Sequence, residues 1–208
     1  VKDYMQNSAV KNFLAVKSFF KKLHNYASVL KIELSKGKDF VMPDYNVFPD
    51  YKTRKEIINE LCDRYKFIKH CFAGKSVCGR GIDVLHIGNT KNRVLYCGGF
   101  HGSEDLTILA LLKFFEECCE AMESDKTVGG CKIGNFLSIR GLTIVPCVNP
   151  DGTEIALHGS DAAFKYKPLV EKVCTDTYKW QANARGVDIN HNFNAGWCRL
   201  KQLELKNN

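Results

Sequence analysis

The sequence predicts an α/β fold in which a mixed, largely parallel sheet is flanked by helices. Three short apolar runs, at residues 82–87, 93–97 and 142–148, have the length and composition of strands. Residues 106–122 repeat apolar side chains at the spacing of an amphipathic helix. Strands that alternate with helices along a chain are typical of α/β domains. At 208 residues, the chain is long enough to bury the core of one such domain.

The chain begins with a helical pattern that we assign to an extension of the main domain. Apolar residues recur at helical spacing through residues 9–34, which predicts an amphipathic helix. We interpret its apolar face as packing on the body of the protein rather than on a membrane surface. Residues 42–50 contain prolines and have the composition of a linker. Residues 1–50 are therefore predicted to be a helical extension and linker, and residues 51–208 the main domain.

The main domain starts with a second helical pattern, from Lys52 to Ile68. The first two predicted strands follow it, separated by residues 88–92, whose composition is that of a turn. The run at residues 142–148 is almost wholly apolar, which predicts a strand that is buried on both faces.

Composition and charge exclude several classes of protein. The net charge of +7 is spread along the chain without a block of like charges, so we predict no nucleic-acid partner. No segment reaches the length of about 18 apolar residues that a membrane span needs, and the start of the sequence lacks the apolar run of a signal peptide. The ten cysteines form no Cys-x-x-Cys pair, and several lie in apolar runs. We interpret them as reduced thiols, which predicts a cytoplasmic location.

Polar residues gather where the predicted strands end. His101 and Glu104 follow the strand at residues 93–97, and a polar turn at residues 149–152 follows the strand at 142–148. The carboxyl ends of parallel strands meet at one edge of a sheet, so these residues are expected to lie close together. An imidazole and a carboxylate are donors that suit Zn²⁺. Taken alone the pattern is weak, because Glu104 could instead stabilise the start of the following helix.

A third polar segment strengthens the case for a site. Residues 183–193 combine amides, an acid and a guanidinium around Val187 and Ile189. Burying such groups is costly unless they have polar partners or bind a substrate. The segment is therefore predicted to contribute to the same site.

Together these motifs resemble the zinc metallocarboxypeptidases (M14), and among them the bacterial γ-D-glutamyl-diaminopimelate peptidases that cleave peptidoglycan stem peptides. The resemblance runs from about Tyr51 to the end of the sequence. It implies that residues 51–208 are the N-terminal part of a zinc peptidase catalytic domain. The motifs that carry it occur in the family's order: Gly74–Arg80, His101–Glu104, Val148–Gly152 and Asn183–Asn190.

The resemblance implies a role for several of these residues. His101 and Glu104 would be the first two zinc ligands, and Asp188 would accept a hydrogen bond from the His101 ring, as carboxylates commonly do behind metal-bound histidines. Asn190 would bind the carboxylate end of a peptide substrate. Arg185 would be the catalytic cation that polarises the scissile carbonyl, with Gln181 as the alternative at the aligned position.

This sequence departs from the family's pattern in two respects. His191 stands where typical carboxypeptidases have an arginine, and an imidazole cannot supply a bidentate guanidinium clamp. We therefore expect His191 to contact the substrate and favour a cell-wall peptide over a digestive one. No histidine follows His191 in the sequence. The third zinc ligand and the general base are accordingly expected beyond residue 208, and His158 is interpreted as a surface residue.

The function that the resemblance implies is zinc-dependent hydrolysis of an amide bond in a peptide. Two alternatives remain open. One is a zinc deacylase that shares the His-x-x-Glu start, although residues 183–188 favour peptidases. The other is a non-catalytic protein that binds peptides without cleaving them.

Overall fold

The computed structural model describes residues 44–128 and 130–207. The helix predicted at residues 9–34 lies outside the described residues. Of the predicted extension and linker at residues 1–50, only residues 44–50 are described, so that domain division stays a prediction.

The described residues form six α-helices, six strands and two 3-10 helices. In chain order they are α1 Tyr51–Arg64, β1 Lys69–Lys75, β2 Gly81–Ile87, β3 Arg93–Cys97, α2 Asp105–Glu123, β4 Thr127–Val128, β5 Cys131–Lys132, α3 Ile133–Ile139, β6 Gly141–Val145, α4 Pro150–His158, the 3-10 helix Ser160–Tyr166, α5 Lys167–Val173, the 3-10 helix Thr177–Lys179 and α6 Trp197–Asn207.

The main sheet has four strands in the order β1-β2-β6-β3, and β4 and β5 form a separate two-stranded ribbon. The α/β architecture with a mixed, helix-flanked sheet is confirmed. Within the described sheet the parallel pairing is that of β3 with β6, whereas β2 is antiparallel to both β1 and β6. The short turn at residues 76–80 explains the first antiparallel pairing, because parallel neighbours need a much longer crossover.

The parallel pair creates the edge on which the site lies. Cys97 of β3 pairs with Val145 of β6, so the two strands end side by side, as their sequences predicted. β6 is buried along almost its whole length, in agreement with its apolar sequence. The segments that leave these two strands therefore start from fixed and neighbouring positions.

Two clusters of buried apolar side chains support this edge. The larger lies between α1, α2 and the sheet, and it includes Ile58, Leu85, Ile108, Phe115 and Ile144. The smaller lies beneath the segment that follows β6, and it comprises Ile155, Ala163, Val170, Trp180 and Ala184. The second cluster anchors residues 180–184 against α4, close to the motif that contains Asp188.

The segment predicted as a polar turn after β6 is the start of α4. The Asn149 side chain accepts a hydrogen bond from the backbone N–H of Gly152 at 2.9 Å, which caps the helix. Pro150 occupies the first turn, where its missing N–H costs nothing, and the acid Asp151 suits the positive end of the helix. His158 lies at the other end of α4, where its Nε2 is 3.1 Å from Asp50 Oδ2.

Two further properties bear on the expectations from composition. Among the helices that the structure describes, none is both long enough and apolar enough to cross a bilayer. The ten cysteines all lie within the described residues, and all of them are free thiols.

Candidate metal site

The backbone that leaves β3 remains tied to the backbone that leaves β6. The N–H groups of Val148 and Asn149 donate to the carbonyls of Gly98 and Gly99, each at 2.9 Å. Gly99 has a φ of 58°, which favours glycine at this bend. The backbone hydrogen bonds between the two segments thus continue beyond the ends of β3 and β6, up to two residues before His101.

Three segments of the chain meet closely at Gly102. A Cβ atom at this position would lie 2.3 Å from the Trp180 carbonyl oxygen and 2.4 Å from that of Gly152. Both distances are far below van der Waals contact with backbone atoms that cannot move freely. The Asn149 amide joins the same segments by donating to the Phe100 carbonyl at 3.1 Å. Only glycine therefore fits between His101 and Glu104 at this point.

His101 and Glu104 face each other, as the motif predicted. The Nδ1 atom of His101 is 2.7 Å from Glu104 Oε1, and the His101 backbone N–H donates to Glu104 Oε2 at 3.1 Å. The hydrogen bond with Glu104 raises the pKa of His101 above its ordinary value, although partial burial opposes the shift. The pair sits at the start of α2, at the edge where β3 and β6 end.

Asp188 lies on the other side of the His101 ring. Its Oδ1 atom is 3.4 Å from His101 Nε2, and its Oδ2 atom is 2.7 Å from His191 Nδ1. The backbone N–H of His191 also donates to Asp188, at 3.2 Å. Partial burial alone would raise the pKa of Asp188, but the hydrogen bonds with His191 outweigh it and lower that pKa. His101 therefore has a carboxylate at each ring nitrogen.

Arg185 and Asn190 are exposed to solvent. The Arg185 backbone N–H donates to the Asn183 side chain at 2.9 Å, within a turn that ends at Val187. Within residues 44–128 and 130–207, no hydrogen bond or ion pair joins the side chain of Arg185 or Asn190 to the His101–Glu104 pair. Their substrate roles stay predictions.

Gln181 contacts the His101–Glu104 motif through its side chain. Its Nε2 atom donates to Ser103 Oγ at 2.6 Å, between the positions of His101 and Glu104 in sequence. The structure thus puts the alternative candidate for the polarising group in contact with the motif. Asn149 also contributes to the site by holding Phe100, and sequence reasoning did not single it out. The sequence did contain an indication of this role, because an asparagine directly before a proline is typical of a helix start.

The His101 and Glu104 donors fit a zinc ion in chemical type. Zinc takes imidazole nitrogen and carboxylate oxygen at roughly 2.0–2.2 Å, which places two tetrahedral ligands about 3.3–3.5 Å apart. The 2.7 Å between Nδ1 and Oε1 is a direct hydrogen bond, so a small opening of the pair would admit the ion. In the part of the chain that the structure describes, no third histidine, cysteine or acid joins these two as a donor group.

The family model of the zinc carboxypeptidases (Peptidase_M14) matches residues 54–207. The chain belongs to this family. Gamma-D-glutamyl-L-diamino acid endopeptidase 1 of Lysinibacillus sphaericus is 31% identical to it over 151 residues, which cover 71% of this chain and 38% of that protein. Carboxypeptidase E of Caenorhabditis elegans is 31% identical over 147 residues, which cover 65% of this chain and 27% of that protein.

Solved structures of zinc carboxypeptidases share the fold. The crystal structure of thrombin activatable fibrinolysis inhibitor superposes with a TM-score of 0.58 at 19% identity, over 78% of this chain and 38% of that one. Carboxypeptidase A of Helicoverpa armigera gives a TM-score of 0.50 at 20% identity, over 88% and 42%. This family member thus spans less than half the length of the relatives named here.

Replacing Asp188 with asparagine is expected to weaken zinc binding by about 10–100-fold while preserving the fold, because the carboxylate orients the His101 ring. Equilibrium dialysis against Zn²⁺ would measure the change. Asp125→Asn is a matched control, since that acid follows α2, a 19-residue helix about 28 Å long that begins beside Glu104. Equal zinc affinities for Asp188→Asn and the unmodified chain would show that Asp188 has no such role.

Proposed function

We propose that this chain supplies the first two zinc ligands of a metallopeptidase that hydrolyses an amide bond in a peptidoglycan stem peptide. One observation carries the proposal: His101 lies between two carboxylates, with Glu104 at Nδ1 and Asp188 at Nε2. A zinc-binding histidine usually donates its second ring N–H to a carboxylate or carbonyl. Family membership supports the same assignment.

In this proposal each residue has a definite task. His101 and Glu104 hold the zinc ion, which when bound would polarise a carbonyl and lower the pKa of a water molecule. Asp188 fixes the tautomer and orientation of His101. Gln181 or Arg185 would donate to the scissile carbonyl, and the contact between Gln181 and Ser103 supports the amide for this task.

Two protein ligands do not complete a catalytic zinc site, which normally has three. We propose that the third ligand and the general base come from residues outside residues 1–208. His158 is a poor substitute because it is paired with Asp50 at the far end of α4.

The substrate assignment rests on one relative and one residue. The relative from Lysinibacillus sphaericus is described as a gamma-D-glutamyl-L-diamino acid endopeptidase. The residue is His191, whose side chain is 59% exposed and bound to Asp188 through Nδ1. His191 can donate at most one further N–H to a substrate, whereas a guanidinium binds a terminal carboxylate through two N–H groups. We propose that His191 and Asn190 contact a cell-wall peptide.

The free cysteines support a further proposal, that the protein works in the cytoplasm. Thiols persist in reducing compartments, whereas ten cysteines in an oxidising one would be prone to disulfide formation.

Zinc content and hydrolysis, measured together, test the proposed function. We expect the 208-residue chain to retain zinc weakly after dialysis and to leave a γ-D-glutamyl-diaminopimelate peptide intact. A longer chain that includes a further histidine and glutamate should retain one zinc ion and cleave the peptide. Stoichiometric zinc and turnover in the 208-residue chain, abolished by His158→Ala or His191→Ala, would contradict the proposal.

The same experiment separates the alternatives. Cleavage of N-acyl amino acids in preference to the peptide would favour a deacylase. Binding of the peptide without cleavage by the longer chain would favour a non-catalytic peptide-binding protein.

A further inference from the structure

The two carboxylates around His101 pose an electrostatic problem. Glu104 Oε1 is 2.7 Å from Nδ1, and Asp188 Oδ1 is 3.4 Å from Nε2. A neutral imidazole carries one N–H, so in either tautomer the other nitrogen directs a lone pair at a carboxylate oxygen. That contact is repulsive unless the second nitrogen is also protonated or a metal ion lies between the two atoms. The ring can therefore receive a cation on either side, depending on its tautomer.

Among the described residues, a further donor is available only on the Asp188 side. Donor atoms of His101, Asp188 and His191 all lie within 4.8 Å of one another, and among the residues that the structure describes this is the one such group of three. Two imidazole nitrogens and one carboxylate oxygen form a donor set that suits zinc and neighbouring transition metals. The Glu104 side offers one nitrogen and one carboxylate.

The two sides are built in the same way. Each has a histidine and a carboxylate three residues apart, with 2.7 Å between the ring Nδ1 and a carboxylate oxygen. In each, the histidine backbone N–H also donates to the carboxylate, at 3.1 Å for His101 and 3.2 Å for His191. A side-chain contact and a backbone hydrogen bond thus join the Asp188–His191 pair, as they join the His101–Glu104 pair.

The spacing on the Asp188 side also fits a metal ion. The 3.4 Å between His101 Nε2 and Asp188 Oδ1 equals the separation of about 3.3–3.5 Å expected for two ligands of a tetrahedral zinc ion. The His191 ring is more than half exposed, and its centroid is 6.4 Å from that of His101. A rotation of this exposed ring would bring a nitrogen to the ion without moving the buried core.

We propose that His101 Nε2, Asp188 and His191 form a second position for a divalent transition-metal ion, distinct from the position between His101 Nδ1 and Glu104. The two positions exclude each other, because a neutral His101 has one lone pair to give. An ion at the second position leaves Nδ1–H free to donate to Glu104. The two tautomers of His101 thus correspond to two places for one ion.

The test uses Zn²⁺ alone and a variant that disables the first position. Glu104→Gln removes the carboxylate but keeps a hydrogen-bond acceptor for Nδ1–H. We expect this variant to bind one Zn²⁺ through the second position. Adding His191→Ala should then weaken binding by at least about 10-fold, since a direct ligand should matter no less than an outer partner. His158→Ala in the Glu104→Gln background is the matched histidine control, and it should change nothing.

Nuclear magnetic resonance of the His101 ring nitrogens gives a readout that is independent of affinity. With Zn²⁺ bound, Glu104→Gln should show Nε2 bound to metal and Nδ1 protonated. Circular dichroism would check that each variant folds. Metal on Nδ1 in Glu104→Gln, or equal Zn²⁺ affinity with and without His191→Ala, would overturn the second position. The proposed function fails by a different result, namely that a longer chain with a further histidine and glutamate retains one zinc ion but does not cleave the peptide.

Discussion

Replacing Asp151 with alanine is expected to lower the free energy of unfolding by about 3 kcal/mol, because it leaves a nearly buried guanidinium with only the more distant carboxylate of Glu154, 4.0 Å away. The Asp151 side chain is 1% exposed and that of Arg80 is 10% exposed. Asp151 Oδ1 lies 2.7 Å from Arg80 Nη1. Asp151 also accepts hydrogen bonds from Ser76 Oγ at 2.7 Å and from the Cys78 backbone N–H at 2.9 Å. Urea unfolding, followed by circular dichroism, would measure the loss.

A control and a double variant make this prediction specific. Asp63→Ala removes a carboxylate that is 76% exposed and should change stability by no more than about 0.5 kcal/mol. Adding Arg80→Leu to Asp151→Ala should recover part of the loss, because the guanidinium that lost its nearest carboxylate is then gone. A loss below about 1 kcal/mol for Asp151→Ala would contradict the prediction, because it would mean that Glu154 or water compensates the Arg80 charge.

Replacing His101 with alanine is expected to reduce zinc affinity by more than about 100-fold, the upper end of the effect of losing an outer partner. The effect should exceed that of Glu104→Gln, because the His101 ring faces a carboxylate at each nitrogen. Equilibrium dialysis against Zn²⁺ would measure it.

His70→Ala serves as the control for that measurement. This histidine has its own carboxylate partner, Asp83, 2.7 Å away, and belongs to none of the motifs of the site. Its removal should leave zinc affinity unchanged. If His101→Ala bound zinc as well as His70→Ala, the metal would have to lie elsewhere in the chain.

The sequence could predict that His101, Glu104 and Asp188 lie close together. The first two follow the end of a predicted strand, and Asp188 belongs to a motif that occurs in the family's order. Two apolar runs predicted β3 and β6. Because these strands pair in parallel, the segments that follow them start side by side. β1 escaped prediction because it is an edge strand with mostly exposed side chains and little apolar alternation. Its antiparallel pairing with β2 depends on the turn at residues 76–80, which we took only as part of a family motif.

The start of α4 was missed for a different reason. Asn149, Pro150 and Asp151 are equally typical of turns and of helix starts, and the apolar spacing in the nine residues of α4 is too short to decide. The choice between Gln181 and Arg185 depended on side-chain direction. Only the three-dimensional arrangement shows that Gln181 reaches Ser103.

The close fit around Gly102 has a consequence for the order in which the protein acquires its shape. The atoms that meet there come from distant parts of the chain, as the 78 positions between Ser103 and Gln181 illustrate. Contacts of such long sequence separation form slowly, because the intervening chain must first be closed into a loop. In small zinc modules the ion gathers an unfolded chain around itself. Here Asp188, which lies beside the His101 ring, belongs to the same set of long-range contacts, so we expect metal binding to follow folding and to report on its completion.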